Sequence, residues 1–212
     1  MRPRPAHRTL EGERVRLVPL DPDRHAEDLL AAAAGDPELW RYLPYGPFAD
    51  AGALRGWLAE HADSTDPLFL AVLDAATGRA GGVVSFLRAE PEHGSVEIGH
   101  IWFGAPLQRS PAATEAISLL ARHAFDDLGY RRLEWKCDAA NERSRRAAER
   151  FGFTFEGVFR QHMIVKGRNR DTAWFSLLDR EWPAARAAFD AWLAPGNFDA
   201  GGRQRRSLAA LR

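Results

Sequence analysis

Between Ser95 and Phe153 the chain reads SVEIGHIWFGAPLQRSPAATEAISLLARHAFDDLGYRRLEWKCDAANERSRRAAERFGF, and the order of patterns in this stretch restricts the fold more than any other. Val96 to Phe103 predicts a strand, Gln108 to Thr114 a tight turn of small residues, and Leu133 to Cys137 a second strand. From Pro111 the spacing predicts a long amphipathic helix, with Ile117, Leu120, Ala121, Ala124, Phe125 and Leu128 on one face. Pro111 suits the first helical turn, where its missing N–H would have had no partner. Glu142 to Arg150 predicts a short helix that ends before Phe151-Gly152-Phe153. Strands and helices alternating in this way belong to an α/β domain.

The flanking segments extend the same domain. Leu10 to Leu20 predicts a strand with one wet face, Asp21 to Ala34 a helix, and Ala53 to His61 another. Pro67 to Leu73 is a continuous apolar run, expected as a strand buried on both faces. The chain returns through Thr77-Gly78 into Val83 to Ala89, giving with Val96 to Phe103 an antiparallel meander. Gly157 to Val165 and Arg170 to Leu178 predict a further pair of strands, and Glu181 to Leu193 a closing helix. A length of 212 residues with 45% hydrophobic content suits one domain with a sizeable core. The expected organisation is a disordered arm over residues 1–8, the domain over 9–194, and a flexible Gly- and Arg-rich tail over 195–212.

Composition excludes several classes. Lys+Arg and Asp+Glu number 29 each, so no electrostatic case exists for nucleic acid as the main partner. No apolar run approaches the roughly 18 residues of a membrane span, and the start of the chain lacks the apolar segment of a signal peptide. Cys137 is the single cysteine and lies in an apolar run, which fits a buried thiol in a reducing compartment. The expected location is cytoplasmic. His100, His123 and His162 have no close ligand spacing, and no metal is expected.

Chemistry concentrates around the turn Gln108-Arg109-Ser110-Pro111-Ala112-Ala113-Thr114. Successive N–H groups at a helix start, with the helix dipole behind them, bind anions, and the ligand best matched is a diphosphate. Read alone, the heptapeptide also fits an ordinary strand-to-helix turn. Leu39 to Phe48 is rich in aromatics and proline, so Trp40, Tyr42 and Tyr45 either line a substrate pocket or cap the core.

The ordered set Glu97-Ile98-Gly99, Gln108 to Ala113, Asn141 with Ser144, Gly152-Phe153, Arg160, Arg170-Asp171 and Trp182 resembles the GCN5-related N-acetyltransferase (GNAT) superfamily. Within it the likeness is to the Rim-type, ribosomal-protein N-terminal branch, over roughly residues 9 to 194. The family loop reads Gln/Arg-x-x-Gly-x-Gly/Ala; this chain matches at Gln108 and Ala113 and departs at Pro111. The resemblance implies a mixed, strongly bent sheet with helices on both faces and a pantetheine slot between two splayed strands. It implies acetyl-CoA, without metal, as the donor for a primary amine on a small molecule or peptide, transferred directly in a ternary complex. A homodimer is the assembly expected with it. Cofactor contacts are implied at Ile101, Trp102 and Phe103, at the backbone of Gln108, Arg109, Ser110, Ala112, Ala113 and Thr114, and at Asn141, Ser144 and Arg146. Glu97 is implied as the base and Ser144 as the acid that protonates the leaving thiolate. Asn141 also fits a helix cap, Glu97 an exposed strand carboxylate, and Ser144 a simple cofactor contact. Arg160 and His162, two residues apart on one strand face, are implied in acceptor recognition. Two rival readings are a succinyl or other acyl donor, and a non-catalytic acyl-CoA sensor.

Overall fold

An eight-stranded mixed sheet organises residues 2–212, the residues that the computed structural model describes. Its strands are β1 (Leu10–Glu11), β2 (Val15–Pro19), β3 (Leu68–Asp74), β4 (Ala80–Glu90), β5 (Ser95–Phe103), β6 (Arg132–Asp138), β7 (Thr154–Val165) and β8 (Arg168–Leu178), in the order β1-β2-β3-β4-β5-β6-β8-β7. Neighbours pair antiparallel except β5 with β6, which run parallel. The helices are α1 (Pro22–Ala33), α2 (Ala51–His61), α3 (Pro111–Arg122), α4 (Glu142–Phe151) and α5 (Trp182–Leu193).

Strand alternation feeds two cores. Val15, Leu17, Val96 and Ile98 pack with Ile117 and Leu120 of α3 and Phe189 of α5. Leu29 of α1, Leu54 and Leu58 of α2, Phe69 and Trp102 fill the opposite side. Because side chains alternate with a period of two, the residues between Val96, Ile98, Leu133, Trp135 and Cys137 turn toward the α1–α2 side. Those residues are Glu97, Glu134 and Lys136, so this half of that face is a polar floor.

The pairing of β5 with β6 stops early. It runs from Ser95↔Arg132 to Ile98↔Trp135, after which β5 continues along β4 to Phe103↔Gly82 and β6 along β8 to Asp138↔Thr172. The cause lies in β5: Ser85 faces Gly99 and Val83 faces Trp102, so His100 and Ile101 together oppose Val84. This extra residue is a β-bulge, and His100 takes a left-handed φ of 50°. The bulge bends β5 off β6 and opens a fork in the sheet.

Helix starts follow local chemistry. Asp21, Asp50, Ser110 and Asn141 cap α1, α2, α3 and α4 with side-chain oxygens. Gly152, at φ 97°, closes α4 in the left-handed conformation that glycine tolerates. The helix expected to reach Leu128 ends at Arg122 and continues as a turn of π-helix over His123–Asp127, with the buried His123 bonded to Asp127.

Both termini depart from the expectation of disorder. Arg4 donates to Ala89 O (2.8 Å), Arg2 donates to Gly129 O, and Pro5 is buried. In the tail, Asn197 Nδ2 donates to Trp192 O (3.1 Å) and Arg206 O (3.2 Å), and Leu208 enters the main core. Gly and Arg dominate the tail composition, but one buried leucine and one satisfied asparagine anchor it. No helix among the described residues is long and apolar enough to cross a membrane. Truncating Leu208, 1% exposed, to alanine is expected to lower unfolding stability by about 2–4 kcal/mol. Urea denaturation measures this, and an unchanged midpoint would show that the tail does not dock.

Candidate active site

The fork in the sheet opens into a cleft of ≈ 1460 Å³ whose lining includes Glu97 and His162 from the polar floor and Ser144 and Arg150 from the α3–α4 side. The cleft therefore reaches both faces of the sheet through one gap.

On the α3–α4 side, the turn before α3 holds its shape by internal bonds. Ser110 Oγ accepts from Ala113 N–H (3.2 Å) and donates to Leu107 O (2.6 Å), while Ser110 N–H donates to Leu107 O (3.3 Å). Of the backbone N–H groups expected for anion binding, those of Gln108, which donates to Gly104 O (3.1 Å), Ser110 and Ala113 are thus engaged. Arg109, at φ 56°, keeps its N–H free, and Ala112 N–H sits in the first turn, where no carbonyl lies one turn back. Ala112 turns its methyl into the core and lies outside the cleft lining. Gln108 ties back to Phe103 O (2.9 Å) and Asp36 (3.3 Å). Thr114 is buried and accepts from Arg150 Nη1 (3.1 Å), which brings a guanidinium to the helix start that the spacing argument did not single out. Arg146 lines the cleft, exposed and paired with Glu142 at 3.5 Å.

Asn141 caps α4 by accepting from Ser144 N–H (3.1 Å) and also lines the cleft. Ser144 Oγ accepts from Trp135 Nε1 (2.9 Å), so its own proton stays available to another acceptor. Trp135 is the last residue of β6 that pairs with β5, which fixes Ser144 at the fork. Burial pushes the neighbouring Cys137 thiol up, keeping it neutral.

On the floor, Glu97 is 4% exposed; its Oε2 meets Arg88 Nη1 at 2.8 Å and Lys136 Nζ at 3.0 Å. No protein donor reaches Oε1 among the described residues. Burial pushes the Glu97 carboxyl up against the opposing pull of Lys136 and Arg88. Lys136 also meets Glu134 at 2.8 Å and lies 3.7 Å from the Trp174 ring centroid. His100 stands beside this group, stacked on Tyr45 (5.7 Å) and edge-on to Phe69 (5.0 Å). Burial first, then the charges of His61, Arg88 and Arg170, bring its pKa down to about 4. Among the described residues no cluster of three or more metal-ligating side chains forms.

The aromatic loop divides. Tyr42 lines the cleft and donates to Ala140 O (3.2 Å), bridging its mouth. Trp40 and Tyr45 do not line it. Trp40 packs on Trp102 (5.1 Å) and Tyr45 on Trp57 (4.4 Å), because the second core under α2 offers their rings deeper burial. Burial pushes the Tyr45 phenol far up. Lys166, at the β7–β8 turn, donates to Trp40 O (2.9 Å), Tyr45 O (3.0 Å) and Gly46 O (2.8 Å), pinning the loop. His162 lines the cleft and its Nδ1 bonds Thr172 Oγ1 (2.9 Å). Arg160 does not join it: a register break between Phe159 and Met163, with Gln161 at φ 50°, interrupts the alternation, and Arg160 borders Gln161, Asn169 and Asp171 outside the cleft.

A sheet forked beside a helix start with a free N–H at Arg109, with a buried carboxylate beneath the gap, is architecture suited to acyl transfer from a long phosphorylated carrier. A family model described as an acetyltransferase (GNAT) domain matches residues 14–154. The solved GCN5-related N-acetyltransferase of Brucella melitensis superposes with a TM-score of 0.96 at 50% identity, over 99% of this chain and 96% of that one. The uncharacterized N-acetyltransferase p20 of Bacillus licheniformis is 28% identical over 177 residues, 82% of this chain and 98% of that protein. The ribosomal-protein-serine acetyltransferase of Escherichia coli is 35% identical over 80 residues, 38% of this chain and 44% of that one. The chain belongs to the GCN5-related N-acetyltransferase superfamily, with the Rim-type branch among its relatives, and is an acyl-CoA-dependent N-acetyltransferase.

Two outcomes test this geometry. The His100 pKa lies below its unfolded value of 6.5, so its contribution to stability is full above pH 6.5 and is lost as pH falls toward about 4. A loss on the order of 1–3 kcal/mol across that window is expected by urea denaturation. In His100→Phe the pH dependence should flatten; an equally steep profile would assign it elsewhere. Lys166→Arg cannot reproduce three convergent carbonyl contacts from one compact ammonium. It is expected to raise amide exchange over residues 40–46 by roughly tenfold, and unchanged protection would show that the clamp does not hold the loop.

Proposed function

We propose that this enzyme transfers the acetyl group of acetyl-CoA directly to a primary amine, with Glu97 as the base and Ser144 as the acid. The observation that carries the reading is the disposition of these two groups: Glu97 lies on the floor side of the fork, and Ser144 is bonded to Trp135 on the α3–α4 side. An amine arriving over the floor and a thiol leaving over α4 meet different proton carriers.

The residues present fit coenzyme A. Beyond Ile98 the β6-facing edge of β5, at Ile101, Trp102 and Phe103, has no strand partner and offers backbone groups to an extended amide-bearing chain. Phe103 O is the exception, already bonded to Gln108. The free N–H group of Arg109, with Arg146 and Arg150 also lining the cleft, suits a pyrophosphate and a ribose phosphate. Pro111 removes one N–H from this cradle and leaves the helix dipole intact. Asn141 lines the slot while capping α4. Bound acetyl-CoA supplies the activated acyl thioester.

The chain does the rest. Glu97 lines the cleft and its Oε1 has no protein donor among the described residues, so it accepts a proton through water, and its raised pKa makes it a better base than a surface carboxylate. Ser144, polarised by the Trp135 N–H, donates its proton on the other side. Cys137, held as a neutral thiol, is no nucleophile, which favours direct transfer over a covalent relay.

Thiol release from acetyl-CoA with a panel of primary amines tests the proposal. Ser144→Ala is expected to lower kcat by about 10²-fold with little change in KM for acetyl-CoA. Glu97→Gln should abolish the rise of rate with pH. Calorimetric binding of acetyl-CoA without turnover of any amine would instead make the protein a sensor, and faster turnover of succinyl-CoA would reassign the donor. No binding at millimolar acetyl-CoA would sink the reading.

A further inference from the structure

Among the described residues, each cation on the polar floor has a partner, except one. Arg132 meets Glu134 (2.8 Å) and Glu156 (2.5 Å), Lys136 meets Glu97 and Glu134, and Arg88 meets Glu97. Arg170 stands two residues before Thr172 on β8, hence on the same face, and lines the cleft. Its guanidinium forms no ion pair, and none of the guanidinium N–H groups donates to a protein acceptor among the described residues. Its Nε is shut off from solvent without a partner.

The carboxylates near it in the fold are otherwise engaged. Asp171, the next residue, faces the other way and accepts from Gln161 N–H (2.7 Å) and Asn169 Nδ2 (2.9 Å). Asp138 accepts from Ala140 N–H (2.9 Å) and lies beyond ion-pair distance. His100, whose imidazole feels the charge of Arg170, stays neutral at pH 7 and offers no balancing charge. A guanidinium with a buried, unused donor in a cleft is unfavourable alone and is relieved by an oxyanion that takes two parallel N–H bonds.

The face decides which substrate brings that oxyanion. The turn before α3, Ser144 and α4 lie on the opposite side of the sheet, where the carrier fits. We infer that the acceptor is a primary amine carrying a carboxylate or phosphate, and that Arg170 recognises this oxyanion, with His162 and Thr172 beside it. The inference rests on the amine-acceptor reading above and names its substrate class.

The experiment compares n-propylamine, β-alanine and O-phosphoethanolamine in two ways. One is kcat/KM with acetyl-CoA; the other is calorimetric binding to the protein saturated with coenzyme A, which needs no turnover. The anionic amines are expected to exceed n-propylamine roughly 10- to 100-fold in both, and the better of the two identifies carboxylate or phosphate. In Arg170→Gln the ratio should fall to near one, and in Arg170→Glu it should invert, with acetyl-CoA affinity reporting that each variant is folded. Equal binding of all three amines to the wild-type protein overturns the inference. So does an Arg170-dependent preference for succinyl-CoA over acetyl-CoA, which would put the oxyanion on the donor. Arg170-dependent binding of anionic amines without turnover would uphold the subsite while the transfer reading failed.

Discussion

One extra residue in β5 sets the geometry of everything around it. A non-glycine residue at positive φ is unfavourable on its own, and His100 is held there by the ring of Tyr45 on one side and Phe69 on another. Those rings belong to the second hydrophobic core, so the strain in the strand is offset by packing beneath α2. The return is a parallel pair that begins at Ser95↔Arg132 and has separated after Ile98↔Trp135. Without the bulge, β5 and β6 would bond along their length and close the gap between the two faces.

The chain has two lysines, Lys136 and Lys166, in a strongly Arg-biased composition. Both occupy places where a compact ammonium with three donors fits and a flat guanidinium does not. Lys136 sits under Trp174 between Glu97 and Glu134, and Lys166 gathers three loop carbonyls. Arginine instead serves where planar recognition is useful, as at Arg132, which spans two carboxylates. Arg170 is the guanidinium of this floor that finds no acceptor among the described residues.

Much of the fold was legible from pattern. The strand, turn, helix, strand and helix from Ser95 to Phe153 appear in the expected order, and Ser110 and Asn141 cap helices as their residue types suggest. Glu97, Ser144, Asn141, Tyr42 and His162 come together in one cleft. Trp40, Tyr45 and Arg160 do not, because ring burial and a strand bulge are long-range outcomes that residue spacing does not encode. The tail misled for a related reason: its composition is that of a flexible segment, yet Leu208 finds a place in a core built by α4 and α5.

The amino-acid sequence by itself determined which elements form, where the helices start, and that a carboxylate, a small-residue turn before a helix and a serine occur in that order. Those are local properties, set by periodicity, capping and residue chemistry within a few positions of one another. Tertiary structure alone decided which face each group serves: Glu97 and Arg170 on one side of the sheet, Ser144 and Arg150 on the other. It also decided that the Arg170 guanidinium, unlike the other cations of the floor, meets no acceptor among the described residues. Facing and pairing depend on strand register, and a single residue added at His100 resets that register for all that follows in the strand.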